Sequence, residues 1–335
     1  MRKLLLIMVG IMLLLALSAC GQKSKDDVVQ SLNKKMEQMK SYSANAKMTL
    51  KMGDEPQVYD VEIWYKNPDF YRVKLKNEKK EQSQMILRNK EGVFVLTPAL
   101  NKSFHFQSEW PKNSSQAYLY ESIVKDIVED KDSSFKANEK EYVFETKTRY
   151  QNSKMLPSQE ITLDKKNLAP VSVKVMDPDR NVLVTVQFTK VSFNPSFDKD
   201  DFDMKKNMTG AQLEVPVMAD AKSKEFSLKY PADTESIKLV DEKEVATENG
   251  KRYVLTYEGD KSFTLIAEKA EVVESSTVPT SILGNPVDLG YTVGALTDKS
   301  ISWTYEGVDY TIASQNLSQE DLIDIAQSVQ VTPVK

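Results

Sequence analysis

The sequence predicts an α+β protein in two parts: a long curved antiparallel sheet covered by helices over residues 28–207, then a smaller antiparallel α+β domain over 212–335. Three observations carry this. From residue 46 onward apolar residues recur with period two in short segments joined by tight polar turns, which calls for neighbouring antiparallel strands. Only two stretches in that half keep helical spacing instead. Beyond residue 212 strand patterns restart, and the chain closes with one capped helix. No repeat relates the halves.

The N-terminus has a different logic. Arg2 and Lys3 precede an apolar run, Leu4 to Leu17, of about 14 residues, short of the roughly 20 a bilayer span needs. It reads as a signal peptide, residues 1–19. Leu17, Ser18 and Ala19 before Cys20 match a bacterial lipobox, in which small residues admit the peptidase and the thiol is the acyl acceptor. Residues 20–27 would then be a lipidated tether. Diacylglycerol on sulfur and an amide-linked acyl chain such as palmitate, at about 0.8 kcal/mol per buried methylene, would hold the protein stably at the cell membrane on its extracytoplasmic face.

Composition excludes several functions. The chain has 45 basic and 49 acidic residues; without Arg2 and Lys3 the balance is 43 against 49, about −6. That sign disfavours nucleic acid and gives no broad attraction to an anionic membrane, so the lipid must provide the anchor. His105 is the only histidine and Cys20 the only cysteine. A nucleophile system or a zinc site of the usual composition has too few residues to build on. The run Asp198 to Met204 lacks the glycine and glutamate of a calcium loop and reads as a solvated turn. No catalytic residue, cofactor or metal is expected, and the chain reads as a non-enzyme.

In chain order, Val29, Leu32, Met36 and Met39 give the first helix its stripe within "VVQSLNKKMEQMKSYSA". "YDVEIWY" places Tyr59, Val61, Ile63 and Tyr65 on one face, and "FYRVKLK" places Tyr71, Val73 and Leu75 together, with Pro68 in the turn between them. "QMILR", "GVFVLTP" and "SFHFQ" follow as strands. A helix is expected from about Ser114, presenting Leu119, Ile123, Val124, Ile127 and Val128, before a charged loop. "YVFETKT", "SQEITLD", "APVSVKVMD" and "NVLVTVQFTKV" complete the sheet, the last pair joined by a turn at "DPDR". Patterning lapses at 204–212, the expected boundary. Later come the strands "RYVLTYEG" and "SFTLIAEKAE", turn-rich text around Pro286, and a hairpin at Glu306-Gly307. The last helix has a capping box at Ser318 and Asp321.

The first sheet is rich in large apolar side chains. Trp64, Phe70, Tyr71, Met85, Phe94, Phe104 and Phe106 fall within about fifty residues, and they are the candidate lining of an apolar cavity.

"VEIWYKNPDFYRVKLK", "MILRNKEGVFVLTPALNK" and "VTVQFTKVSFNPSFDKDDFDM" resemble the LolA-like lipoprotein-carrier family, in the form of membrane lipoproteins associated with sporulation in Gram-positive bacteria. The resemblance spans the mature part to about residue 207. It implies a half-barrel sheet lined by apolar side chains and capped by helices, holding a lipid or acyl ligand or an envelope or sporulation protein. A tether at Cys20 departs from a soluble carrier, which must leave the membrane. Local binding or scaffolding in spore-envelope assembly is therefore expected, with regulation of a wall-modifying enzyme or signalling factor as the alternative. The tail resembles a domain of unknown function that often ends Gram-positive cell-surface proteins.

Overall fold

The computed structural model describes residues 23–51, 56–78, 83–106, 108–111, 115–214, 228–231, 237–248, 250–272 and 279–329. Helix α1 (Lys25–Gln38) opens at Ser24, whose hydroxyl accepts from the Asp27 N–H while the Asp27 carboxylate takes the Ser24 N–H. It buries Val28 and Leu32, with Val29 and Met36 only partly covered, so its stripe is centred one residue earlier than the sequence suggests. "SYSA" does not prolong this helix. It starts strand β1 (Ser41–Leu50), because Tyr42, Ala44, Ala46, Met48 and Leu50 alternate onto one buried face.

The meander continues through β2 (Gln57–Lys66), β3 (Phe70–Asn77), β4 (Ser83–Asn89), β5 (Gly92–Thr97) and β6 (Lys102–Phe106). Helix α2 (Tyr120–Glu129) follows, starting later than expected, with Leu119 still extended. Then come β7 (Ser134–Ala137), β8 (Glu141–Lys147), β9 (Ser158–Asp164), β10 (Pro170–Met176) and β11 (Val182–Phe193). Residues 204–212 are not a bare boundary. They lie in α3 (Met204–Glu214), entered through a short 3-10 turn, Lys199–Phe202, capped by Asp198 and Asp201. Asn207, Thr209 and Gly210 blur its pattern, which is why periodicity alone misses it.

The second part holds β12 (Ile237–Thr247), β13 (Gly250–Gly259), β14 (Phe263–Lys269), β15 (Thr280–Ser281), β16 (Asn285–Asp288), β17 (Val293–Leu296), β18 (Ser300–Tyr305), β19 (Val308–Ala313) and α4 (Gln319–Ser328). At the β18–β19 hairpin Glu306 and Gly307 both take positive φ, 51° and 76°, the twist that a two-residue turn between right-twisted strands requires. The Ser318–Asp321 capping box forms as its spacing predicts.

Two open sheets result. The first runs β15-β6-β5-β4-β3-β2-β1-β11-β10-β9-β8-β7, antiparallel throughout except where β15 joins β6 in parallel. The second runs β12-β13-β14-β19-β18-β17-β16. The α+β class read from the sequence is the class observed. One apolar cluster continues from Val28 and Leu32 of α1, through the inner face of the first sheet, to Leu322 and Ile325 of α4. A separate cluster lies on the outer face under α3.

The filled inner face and the candidate interaction surfaces

The register of β1, β2 and β3 sets Tyr42 opposite Tyr65 and Tyr65 opposite Tyr71. Cross-strand pairing therefore builds a file of rings. Centroids lie 6.1 Å apart for Tyr120–Tyr42, 5.5 Å for Tyr42–Tyr65, 4.9 Å for Tyr65–Tyr71 and 5.7 Å for Tyr71–Trp110. The file is pinned at both ends. Arg88 donates to the Trp110 carbonyl, and the Tyr120 hydroxyl donates to the Leu168 carbonyl at 2.9 Å. Ile63, Val73, Ile86 and Val93 fill the same face with no exposed surface, packed in one cluster with Val28, Leu32 and Ile123 from the helices. The concavity expected to hold a ligand is occupied by the protein's own side chains.

The seven apolar residues singled out in the sequence do not share a face. Phe70 and Tyr71 are neighbours in one strand and must point oppositely. Tyr71 and Phe106 belong to the inner cluster, and Phe104 packs at its edge. Trp64, Phe70, Met85 and Phe94 lie on the outer face with Phe202, Met204, Met208 and Ala211 over them. There Trp64 stacks on Phe197 at 5.3 Å, the Arg72 guanidinium sits 4.1 Å above the Trp64 ring, and Phe70 meets Phe202 at 5.6 Å. A cleft of about 210 Å³ beside Trp64, Arg72 and Lys206 borders this cover.

The seam between the sheets is a site that no spacing in the sequence announces. The Gln84 Oε1 accepts from the Val293 N–H at 3.0 Å and from the Thr292 hydroxyl at 3.3 Å. The Tyr305 hydroxyl donates to Gln57 at 3.0 Å, the Tyr118 hydroxyl to Asp288 at 3.0 Å, and the Asn152 amide to Gln327 at 3.0 Å. Burial pushes the Asp288 carboxyl up, opposed by the Gly290 N–H and the Tyr118 hydroxyl. Between these bonds lie a cleft of about 60 Å³ bounded by Tyr59, Tyr291 and Tyr305, and one of about 150 Å³ bounded by Phe104, Phe106, Ile282 and Val293. The Lys102–Asp309 ion pair, 2.9 Å, borders the larger.

Other chemistry is sparse. The His105 ring stacks on Phe94 at 4.6 Å, and its Nε2 donates to the Glu91 carbonyl at 2.9 Å, an ordinary strand role. Among the described residues no group of histidine, cysteine and carboxylate side chains is arranged to hold a metal ion. Asp126 is buried with Arg149 at 2.5 Å, Gln159 at 2.7 Å and Ser115 at 2.9 Å; burial pushes its carboxyl up against these partners. This fully satisfied set ties α2 to the strands. On the outer face a shallow groove of about 290 Å³ runs past the β-bulge at Asn45–Ala46 and is lined by Lys47, Asp60, Glu62 and Lys74. At the edge of the second sheet, among the described residues, β12 exposes Leu239, Val240 and Val245. Cys20 and the residues read from the sequence as a lipobox, Leu17, Ser18 and Ala19, lie outside the described residues.

The chain is 55% identical over 330 residues to the Bacillus subtilis (strain 168) protein named "Sporulation protein YdcC", covering 98% of this chain and 97% of that one. Among solved structures it is similar to a chain in the complex of the CwlD amidase from Clostridioides difficile with the GerS lipoprotein, with 18% identity, 53% of this chain, 98% of that chain and a TM-score of 0.31. It is also similar to the LolA superfamily protein NE2245 from Nitrosomonas europaea, with 12% identity, 53% of this chain, 98% of that chain and a TM-score of 0.29. The family described as "Sporulation protein YdcC-like" matches residues 1–202, and the chain belongs to that family.

Proposed function

We propose that this chain is a lipid-anchored, non-enzymatic protein of the extracytoplasmic membrane face that acts in sporulation by holding a partner protein. The observation that carries the choice of partner over cargo is the occupied inner face. Ile63, Val73, Ile86 and Val93 have no exposed surface, and Tyr42, Tyr65 and Tyr71 fill the space beside them. An acyl chain would have to displace these side chains. The role in sporulation draws on the family and on the name of the 55% identical relative. The anchor draws on the lipobox at Cys20.

The test is crosslinking of the full chain in sporulating cells. Recovery of a specific protein that persists when Phe104 is replaced by Trp, filling the seam cleft, is expected. Loss of all crosslinks with that variant, together with lipid retained by the purified wild type, would overturn the reading. A second reading, binding of an apolar ligand, is favoured by one feature alone, the 150 Å³ seam cleft bounded by Phe104 and Phe106. Mass spectrometry of the protein extracted from membranes separates the two, because a bound lipid beyond the Cys20 modification belongs only to the second.

A further inference from the structure

The stretch Gln116–Glu121 is attached to both sheets at once. Toward the second sheet, the Tyr118 hydroxyl reaches Asp288. Toward the first, the Tyr120 N–H donates to the Tyr42 hydroxyl at 3.2 Å, and Tyr120 and Leu119 are fully buried. Directly after these attachments comes Glu121, the second residue of α2. Both of its carboxylate oxygens are withdrawn from solvent, and among the described residues the Tyr42 hydroxyl and its own N–H lie nearby without reaching hydrogen-bond geometry.

We propose that Gln116–Glu121 is a proton-operated clasp between the two sheets, seated while Glu121 is protonated and released when the carboxylate must ionise. The surroundings explain why. Among the described residues, Tyr42 from β1, Tyr65 from β2, Tyr71 from β3 and Tyr120 from α2 itself are the titratable groups that interact with the carboxyl, and no cation is among them. Asp69, in the turn between β2 and β3, acts on Tyr65 and Tyr71 rather than on Glu121. Arg88 of β4 is engaged with the Trp110 carbonyl and lies 3.9 Å from Asp69. Of the three α1 cations, Lys25 donates to the carbonyls of Lys131 and Ser133, Lys35 donates to that of Asn167, and Lys34 is exposed on the helix surface.

An ionised carboxylate left there without a counter-charge is costly, so proton loss and release of the segment favour each other. Burial pushes the Glu121 carboxyl up to about 8, opposed by its own N–H and the nearby Tyr42 hydroxyl. The seated form therefore holds its proton more tightly than an exposed glutamate, whose ordinary value is 4.5. Opening becomes about tenfold more frequent per pH unit between those values and levels off above the higher one.

The test is hydrogen exchange on the detergent-solubilised full chain, corrected for intrinsic exchange, from about pH 5.5 to 8.5. The probes are the amides of Ile123, at the clasp, and Leu289, across the seam, bonded to the Leu119 and Thr292 carbonyls. The expected result is a matched rise of about tenfold per unit at both amides in the wild type and a flat profile in Glu121→Gln. A flat wild type, the same rise in the variant, or opening at Ile123 without Leu289 would each overturn the proposal. Should the variant fail to fold, infrared spectroscopy of wild type labelled at glutamate carboxyls decides. A protonated glutamate at neutral pH that titrates near 8 supports the clasp, and none at neutral pH ends it.

Discussion

The Tyr118 hydroxyl crosses the seam to the Asp288 carboxylate at 3.0 Å, from a side chain that is almost wholly buried. Asp288 receives its other hydrogen bond from the Gly290 N–H at 2.7 Å, so two donors hold a carboxylate that burial disfavours. Tyr118→Phe removes one donor without changing the packed ring. The loss should be about 1–3 kcal/mol of unfolding free energy, the cost of leaving a charged acceptor short of a donor. Urea unfolding would show it as a lower midpoint at constant slope, and a midpoint equal to wild type would mean that the bond contributes nothing.

The outer face gives a second prediction. Phe202 is 2% exposed and touches Phe70 and Phe197, so it fixes the turn that delivers α3 onto the sheet. Phe202→Ala should cost about 3–5 kcal/mol through lost burial and a residual cavity. Exchange protection in α3, such as at the Asn207 amide bonded to the Asp203 carbonyl, should fall before protection in β1. If Asn207 and β1 lose protection together, α3 is not a separate cover.

Much of the fold is legible because alternation and burial coincide. Tyr59, Val61, Ile63 and Tyr65 read as one face and are one buried face. Ser318 and Asp321 read as a cap and form one. Legibility fails where local pattern and tertiary role separate. Strand β12 is exposed on both sides over most of its length and so has no alternation to read. Helix α3 offers Met204, Met208 and Ala211 as its apolar contacts, with Gly210 and Asn207 between them and Asn207 accepting from Arg72 instead. For the candidate site, the sequence identifies the apolar residues but not their destination. Deciding that Trp64 lies under α3 while Tyr71 joins the inner file requires knowing that both faces of the sheet are covered. The seam bonds of Gln84 and Gln57 connect positions more than two hundred residues apart, and nothing local marks those glutamines.

The proposed lipid anchor makes a prediction about place. If Cys20 is the acyl acceptor, Cys20→Ala removes it while leaving the basic head and apolar run intact, so export should continue and anchoring should not. Detergent phase partitioning should shift the protein from the detergent phase to the aqueous phase or leave an uncleaved precursor. Unchanged partitioning of a mature-length product would rule out the anchor at this position.

Acidity should act on the second sheet through Asp324 of α4. Burial is the chief cause that pushes this carboxyl up from 3.8 to about 6, with Glu320 adding to it and Asn152 opposing. Among the described residues its Oδ1 is buried without a hydrogen-bond partner, because the nearby Asn152 amide reaches Gln327 of the same helix. Because the folded value lies above the unfolded one, the folded state binds the proton more tightly, and stability declines as pH rises between the two values. Below that window the group is protonated in both states and has no effect; above it the loss is complete and constant. Asp324→Asn keeps the shape and removes the charge, so the variant should match wild type near pH 3.5 and have the higher melting temperature at pH 7, with the gap opening between about 4 and 6. A gap that is the same at both ends of that range would show that Asp324 ionises without cost, and that α4 is not packed tightly enough on the seam to exclude water from it.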